Sequence, residues 1–172
     1  MFRTACTAAF VVLGLAAGVR AETTVKLTNM HICCGGCTRA IVAATKDLEG
    51  AKVAVDQDAE EVTIRAENKA AAQKAVDAIL AAGYHAVTES KDVTIGDDSG
   101  AKSGKVRRLT VSGAHNCCGA CTVAIKGALK TVEGVQADTC KAKQTSFVVE
   151  GEFDAQALVK ALADAGFHVK VQ

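Results

Sequence analysis

Tryptophan and proline are absent from this 172-residue sequence, and aromatic residues of all kinds make up 3% of it. So few rings leave no platform on which nucleic-acid bases could stack. Net charge is +1 and no basic tract occurs, so no nucleic-acid partner is expected. No Ser/His/Asp constellation, no paired carboxylates in a loop and no phosphate-cradling glycine loop is found, and the chain reads as a non-enzyme. What is there begins with apolar residues, at 49%, which excludes a generally disordered chain. Alanine and valine supply much of that share, so small, finely packed cores are expected. The length allows one domain or two small ones.

Residues 1–21 stand apart. Arg3 precedes an apolar run from Ala8 to Ala17, and Val19-Arg20-Ala21 supplies small residues where a cut is expected. This is the shape of a secretory signal, with an apolar run too short to span a bilayer. Its removal discards Cys6 and changes the net charge from +1 to −1. The expected product starts at Glu22, is secreted or periplasmic, and has no stable membrane insertion.

Seven cysteines then remain: two triplets and the solitary Cys140. An odd count packed so tightly does not read as a disulfide framework; it suits metal or redox chemistry. The triplets also reveal a duplication. His31-Ile-Cys33-Cys34-Gly35-Gly36-Cys37-Thr38 returns 84 positions later as His115-Asn-Cys117-Cys118-Gly119-Ala120-Cys121-Thr122. Twelve of twenty successive positions are identical up to Gly50 and Gly134. Gly83-Tyr84-His85 and Gly166-Phe167-His168 close the two copies alike. The copies are domains at 22–90 and 106–172, joined by a Gly/Ser-rich, charged stretch at 91–105 that reads as a flexible linker.

Each copy shows one pattern. A strand (Val25–Leu27 or Leu109–Val111) leads into the cysteine loop. The helix that follows has an apolar stripe, Ala40, Ile41, Ala44 and Leu48, or Ala124, Ile125, Ala128, Leu129 and Val132. Gly50 and Gly134 stand where a helix C-cap is wanted. Two strands follow, then a helix with Asn68 or Asp154 as N-cap. Phe153 and Leu158 suit a hydrophobic staple around Asp154. A last strand is expected from His85 or His168. The order βαββαβ predicts an α+β chain of two tandem ferredoxin-like domains, each an antiparallel sheet with two helices on one face.

The loop therefore meets a helix N-terminus, where unpaired amides and the helix dipole favour thiolate over thiol. Thiolates select soft or borderline ions such as Cu(I), Zn(II), Hg(II) or Cd(II). Three thiolates and an imidazole complete a tetrahedral Zn(II) shell; two or three thiolates alone serve Cu(I). Cys34 with Cys37, and Cys118 with Cys121, form the core pairs. Cys33 with His31, and Cys117 with His115, are additional candidates. Side chains of adjacent cysteines diverge, so one of each pair is expected to point away. The rival is thiol–disulfide exchange or redox sensing by the same Cys-x-x-Cys pairs. Against it, no tryptophan precedes the motif and no proline lies anywhere.

Each copy resembles the heavy-metal-associated domain of metallochaperones, metal-ATPase N-terminal domains and periplasmic mercury-binding proteins. The resemblance rests on Cys34-Gly35-Gly36-Cys37 followed by Ile41, Cys118-Gly119-Ala120-Cys121 followed by Ile125, and the Leu48-Glu49-Gly50 and Val132-Glu133-Gly134-Val135 steps. It implies a metal ion as cargo, up to one per domain, Tyr84 and Phe167 as loop aromatics shielding it, and a metal transporter or another metal-binding domain as partner. Two departures stand out: the loop is about two residues longer than the family pattern, and Ile32 and Asn116 replace its methionine. The extra His and Cys suggest higher coordination than a two-sulfur Cu(I) site. His85 and His168, beside the aromatics, are candidates for ligands, outer partners or gates, against a plain reading as half-exposed strand starts. Cys140, aligned with Asp56, reads as a small hydrophobe near the metal-loop end.

Overall fold

The computed structural model describes residues 22–172. The expected signal segment, with Cys6, lies outside the described residues.

Period-2 burial builds the first sheet. In β1 (Thr23–Leu27), Thr23, Val25 and Leu27 face inward; in β3 (Glu61–Ala66), Val62, Ile64 and Ala66 do. β2 (Ala51–Asp56) pairs with the other edge of β3, giving the antiparallel order β1-β3-β2. α1 (Gly35–Thr45) and α2 (Lys69–Ala81) cover one face. α1 buries Cys37, Ile41 and Thr45, and α2 buries Ala75, Val76, Ile79 and Leu80 among others. A fully buried Ile41 contributes about 1.5–3 kcal/mol of transfer free energy, so this contact outweighs the weak helix propensities of the loop that precedes it.

The second half repeats the plan with β4 (Lys105–Ser112), α3 (Gly119–Lys130), β5 (Val135–Asp138), β6 (Ser146–Asp154), α4 (Ala155–Asp164) and β7 (Lys170–Val171). Its sheet order is β5-β6-β4-β7, antiparallel throughout. The N-caps fall as the sequence predicts: Asn68 accepts from the Ala71 amide at 2.9 Å and Asp154 from the Ala157 amide at 2.8 Å. Phe153 and Leu158 are both fully buried, as the staple requires.

Three expectations are corrected. Gly50 and Gly134 do not cap the first helix of their copy, because those helices end earlier, with C-caps at Lys46 and Thr131. Both glycines instead take left-handed backbone (φ 74° and 88°) in the turn into the next strand, a conformation costly for residues with a Cβ. The last strand of the first copy is reduced to one bridge, with Thr28 and Val87 exchanging two backbone hydrogen bonds of 2.9 Å. In the second copy it starts at Lys170, two residues after His168.

The connection at 91–105, expected to be a flexible linker, runs against both copies. Gln73 clamps Thr94 by its side-chain amide, accepting from the Thr94 amide at 2.8 Å and donating to its carbonyl at 2.9 Å. Ser99 is buried, and its carbonyl accepts from the Val171 amide at 2.8 Å. Asp98 pairs with His168 (2.9 Å) and Lys170. Among the described residues, no helix is long and apolar enough to cross a membrane.

Candidate metal centre

The two cysteine loops meet. They are brought together by the loops at the far end of each copy, where Tyr84 and Phe167 form an antiparallel bridge. The His85 amide donates to the Gly166 carbonyl and the His168 amide to the Gly83 carbonyl, each at 3.0 Å. These reciprocal bonds relate the copies by an approximate two-fold. They also press each glycine onto the other copy's lead-in. A Cβ on Gly83 would lie 2.4 Å from the His115 nitrogen, and one on Gly166 would lie 2.4 Å from the His31 nitrogen. Both glycines have left-handed φ, at 89° and 83°, so a side chain is excluded twice over.

The result is one sulfur cluster in place of the separate site expected in each copy. All six loop cysteines are free thiols. Four of them close a ring: Cys33–Cys37 3.7 Å, Cys37–Cys117 4.0 Å, Cys117–Cys121 3.8 Å and Cys121–Cys33 3.5 Å between sulfurs. Cys34 sits outside one edge, 3.9 Å from Cys37 and 3.8 Å from Cys117. Cys118 sits outside the opposite edge, 3.9 Å from Cys121 and 3.7 Å from Cys33. The expectation that one of each adjacent pair points away is not met: both members enter the cluster, and the Cys33 and Cys34 sulfurs lie within 4.8 Å of each other. These separations are far longer than a disulfide bond of about 2.05 Å and match thiolates arranged around an ion.

Helix geometry sets the electrostatics. Cys34 and Cys118 are the N-cap residues of α1 and α3. Neither sulfur meets the geometry of a full capping hydrogen bond, yet the amides of the first turn act on both. Those of Cys37 and Gly36 lower the Cys34 pKa, and those of Cys121 and Ala120 bring Cys118 down to about 6. Burial raises Cys33, Cys117 and Cys121. An ion would lower all of them, since its own charge dominates so small a space.

The histidines flank the ring. His115 lies with Cys37, Cys117 and Cys121, and His31 with Cys33 and Cys121; within each group the ligand atoms are all within 4.8 Å. Cys33, Cys34 and Cys118 form a third such group. The His115 ring stacks on Tyr84 with centroids 4.2 Å apart. The Tyr84 hydroxyl donates to the Cys37 carbonyl at 3.2 Å and lies 2.7 Å from His115 Nε2. With that hydroxyl proton committed, the consistent tautomer has Nε2–H donating to the Tyr84 oxygen. Nδ1 is then left with a free lone pair, the usual way an outer partner prepares a ligand histidine. Phe167 takes the place of Tyr84 beside His31, at 4.8 Å, and has no hydroxyl to offer. His31 Nε2 is accordingly buried without a partner. Burial lowers the pKa of both, that of His115 to about 4 with help from the charge of His31, so both rings are neutral near pH 7 and fit to ligate.

The aromatics thus press on the histidines, each reaching across to the other copy. His85 and His168 do not join the sulfur groups. They stack on each other at 6.0 Å and line a cavity of about 530 Å³ along the connecting segment. Cys140 is buried outside the ring, with a pKa raised by burial, and accepts a weak hydrogen bond from Asn116 at 3.6 Å. Asn116 is a residue whose role the sequence did not disclose. Its side-chain nitrogen donates to the Lys141 and Gln144 carbonyls at 2.8 and 2.9 Å, and its oxygen accepts from Thr122 at 2.9 Å. Ile32 cannot do this in the first copy, and the Thr38 hydroxyl is left without a partner. Nothing in the repeat distinguishes an asparagine that ties two loops from one that faces water. The glycines Gly83 and Gly166 were legible as repeat landmarks, but their role in docking was not.

No family model matches the chain, and no curated relative does. Among solved structures, the N-terminal soluble domains of Bacillus subtilis CopA are similar at 19% identity, with 89% of this chain and 95% of that chain covered and a TM-score of 0.33. The first two RRM domains of yeast poly(U) binding protein (Pub1) align at 10% identity, over 87% of this chain and 98% of that one, with a TM-score of 0.26. The residues of the centre therefore carry the functional reading.

Proposed function

We propose that this chain is an exported protein that binds a soft metal ion, Cu(I), Zn(II) or a toxic thiophilic cation, and sequesters it or passes it on. The observation that carries the reading is the ring of four sulfurs with two more at its edges and two neutral imidazoles alongside. Taking thiols out of water so close together brings little unless an ion or a bond joins them; thiolates around a cation offset that cost. Export is read from residues 1–21. Transfer to a metal transporter or another metal-binding domain would run by stepwise ligand exchange through Cys34 and Cys118, the thiols with lowered pKa, without chemical turnover.

The test is metal content per chain under reducing conditions. A stoichiometric ion, removed by chelator and bound more weakly by the Cys34→Ser, Cys118→Ser double variant, supports the reading. No uptake, together with reduction of a disulfide substrate such as insulin, overturns it in favour of thiol exchange. Cell fractionation with N-terminal sequencing checks the compartment and a mature start at Glu22.

A further inference from the structure

The ring is a set of two crossed triangles. Cys34, Cys37 and Cys117 are mutually 3.8–4.0 Å apart; Cys33, Cys118 and Cys121 are mutually 3.5–3.9 Å apart. Each triangle takes the Cys-x-x-Cys pair from one copy and the leading cysteine from the other. The point equidistant from three sulfurs at such spacing lies about 2.2 Å from each, close to a metal–thiolate bond of about 2.3 Å. Each histidine also reaches a Cys-x-x-Cys sulfur of the other copy, with Cys121 common to both groups. His115, two residues before Cys117, groups with Cys37; His31, two residues before Cys33, groups with Cys121.

We propose that the two copies hold two soft metal ions in one joint centre. The Cys-x-x-Cys pair of each copy is completed by the His-x-Cys segment of the other. This deepens the metal-binding reading above and rests on it. Two independent features support the crossing. The lead-in of each loop is pinned by the opposite copy, through Gly83 against His115 and Gly166 against His31. Tyr84 of the first copy orients His115 of the second, in contact with the Cys37 carbonyl.

The crossing has a functional consequence. With the copies docked, each ion has three thiolates, with an imidazole beside two of them. With the copies apart, it keeps two thiolates. Docking therefore retains the ion and undocking releases it, and the chain connecting the copies supplies the effective concentration that makes docking intramolecular.

Cd(II), added alone to the reduced exported protein, serves as the probe, read by thiolate-to-metal charge-transfer absorption. Two ions per chain are expected. In a Cys34→Ser, Cys37→Ser background one ion remains; adding Cys33→Ser weakens it at least about tenfold, while adding Cys117→Ser leaves it unchanged. In a Cys118→Ser, Cys121→Ser background the two substitutions exchange effects. Misfolding cannot produce that exchange, because each variant serves as the harmless control in one background. The opposite dependence, with each leading cysteine serving its own copy, overturns the crossing and leaves metal binding intact. Saturation at one ion overturns the paired centre. No uptake overturns the metal-binding reading itself.

Discussion

At the residue scale, chemistry is divided between adjacent cysteines. Cys34 and Cys118 lie in the field of a helix N-terminus and are drawn toward thiolate, whereas their neighbours Cys33 and Cys117 are held as thiols by burial. Reactivity should follow. In metal-free protein at pH 7, iodoacetamide is expected to modify Cys118 well before the buried Cys140, with a half-maximal rate near pH 6. Peptide mass mapping over a pH series checks it; equal rates at the two positions would remove the helix-terminus argument. The sequence already contained that argument, since a Cys placed between a strand and an amphipathic helix is an N-cap by position. It did not contain the asymmetry between copies. Tyr84 supports a histidine and Phe167 does not, and Asn116 ties down a loop that Ile32 leaves alone. Such differences depend on which atoms arrive from distant segments.

At the element scale, helices and strands follow the sequence pattern closely, because each is decided by a local period. Leu158 and Leu162 lie four apart on one face of α4, and Val62 and Ile64 lie two apart on one face of β3. Element ends are less legible. The last strand of the first copy is only a bridge between Thr28 and Val87, while the second copy resumes a strand after the same engagement. The closing loops behave as docking elements, which can be tested apart from the thiols. Gly166→Ala places a methyl 2.4 Å from the His31 nitrogen on left-handed backbone. It is expected to cost about 1–3 kcal/mol of stability and to weaken metal binding with all cysteines intact. Urea unfolding and a metal titration on the same sample measure both. If stability falls but metal affinity does not, the loops have no part in assembling the centre.

At the scale of the whole molecule, proton and ion binding are linked to folding. The folded pKa of His115 is depressed to about 4 from 6.5. Its contribution to stability is therefore fully present above pH 6.5 and is lost as pH falls toward 4, because the unfolded chain takes up the proton first. The direction is the same for His31. The urea midpoint of metal-free, reduced protein should fall through this window, and less steeply in His115→Gln. A flat profile would contradict burial of the neutral rings. An ion adds to the dependence, since protons compete for the same nitrogens and sulfurs.

The sequence by itself determined that there are two α+β units, where their helices begin, and that each carries a thiol-rich loop at a helix N-terminus. These follow from side-chain periods, capping residues and turn glycines that act within a few positions of one another. Only the tertiary structure decided which sulfurs share a face. That depends on contacts eighty or more residues apart in sequence, Cys33 with Cys118 and Cys121, and Cys34 and Cys37 with Cys117. The docking that creates them comes from glycines too close to the opposite copy to bear a side chain. A repeat shows that two loops are alike. Whether like loops stand apart or interlock is set by steric fit between surfaces, and no local pattern encodes that fit.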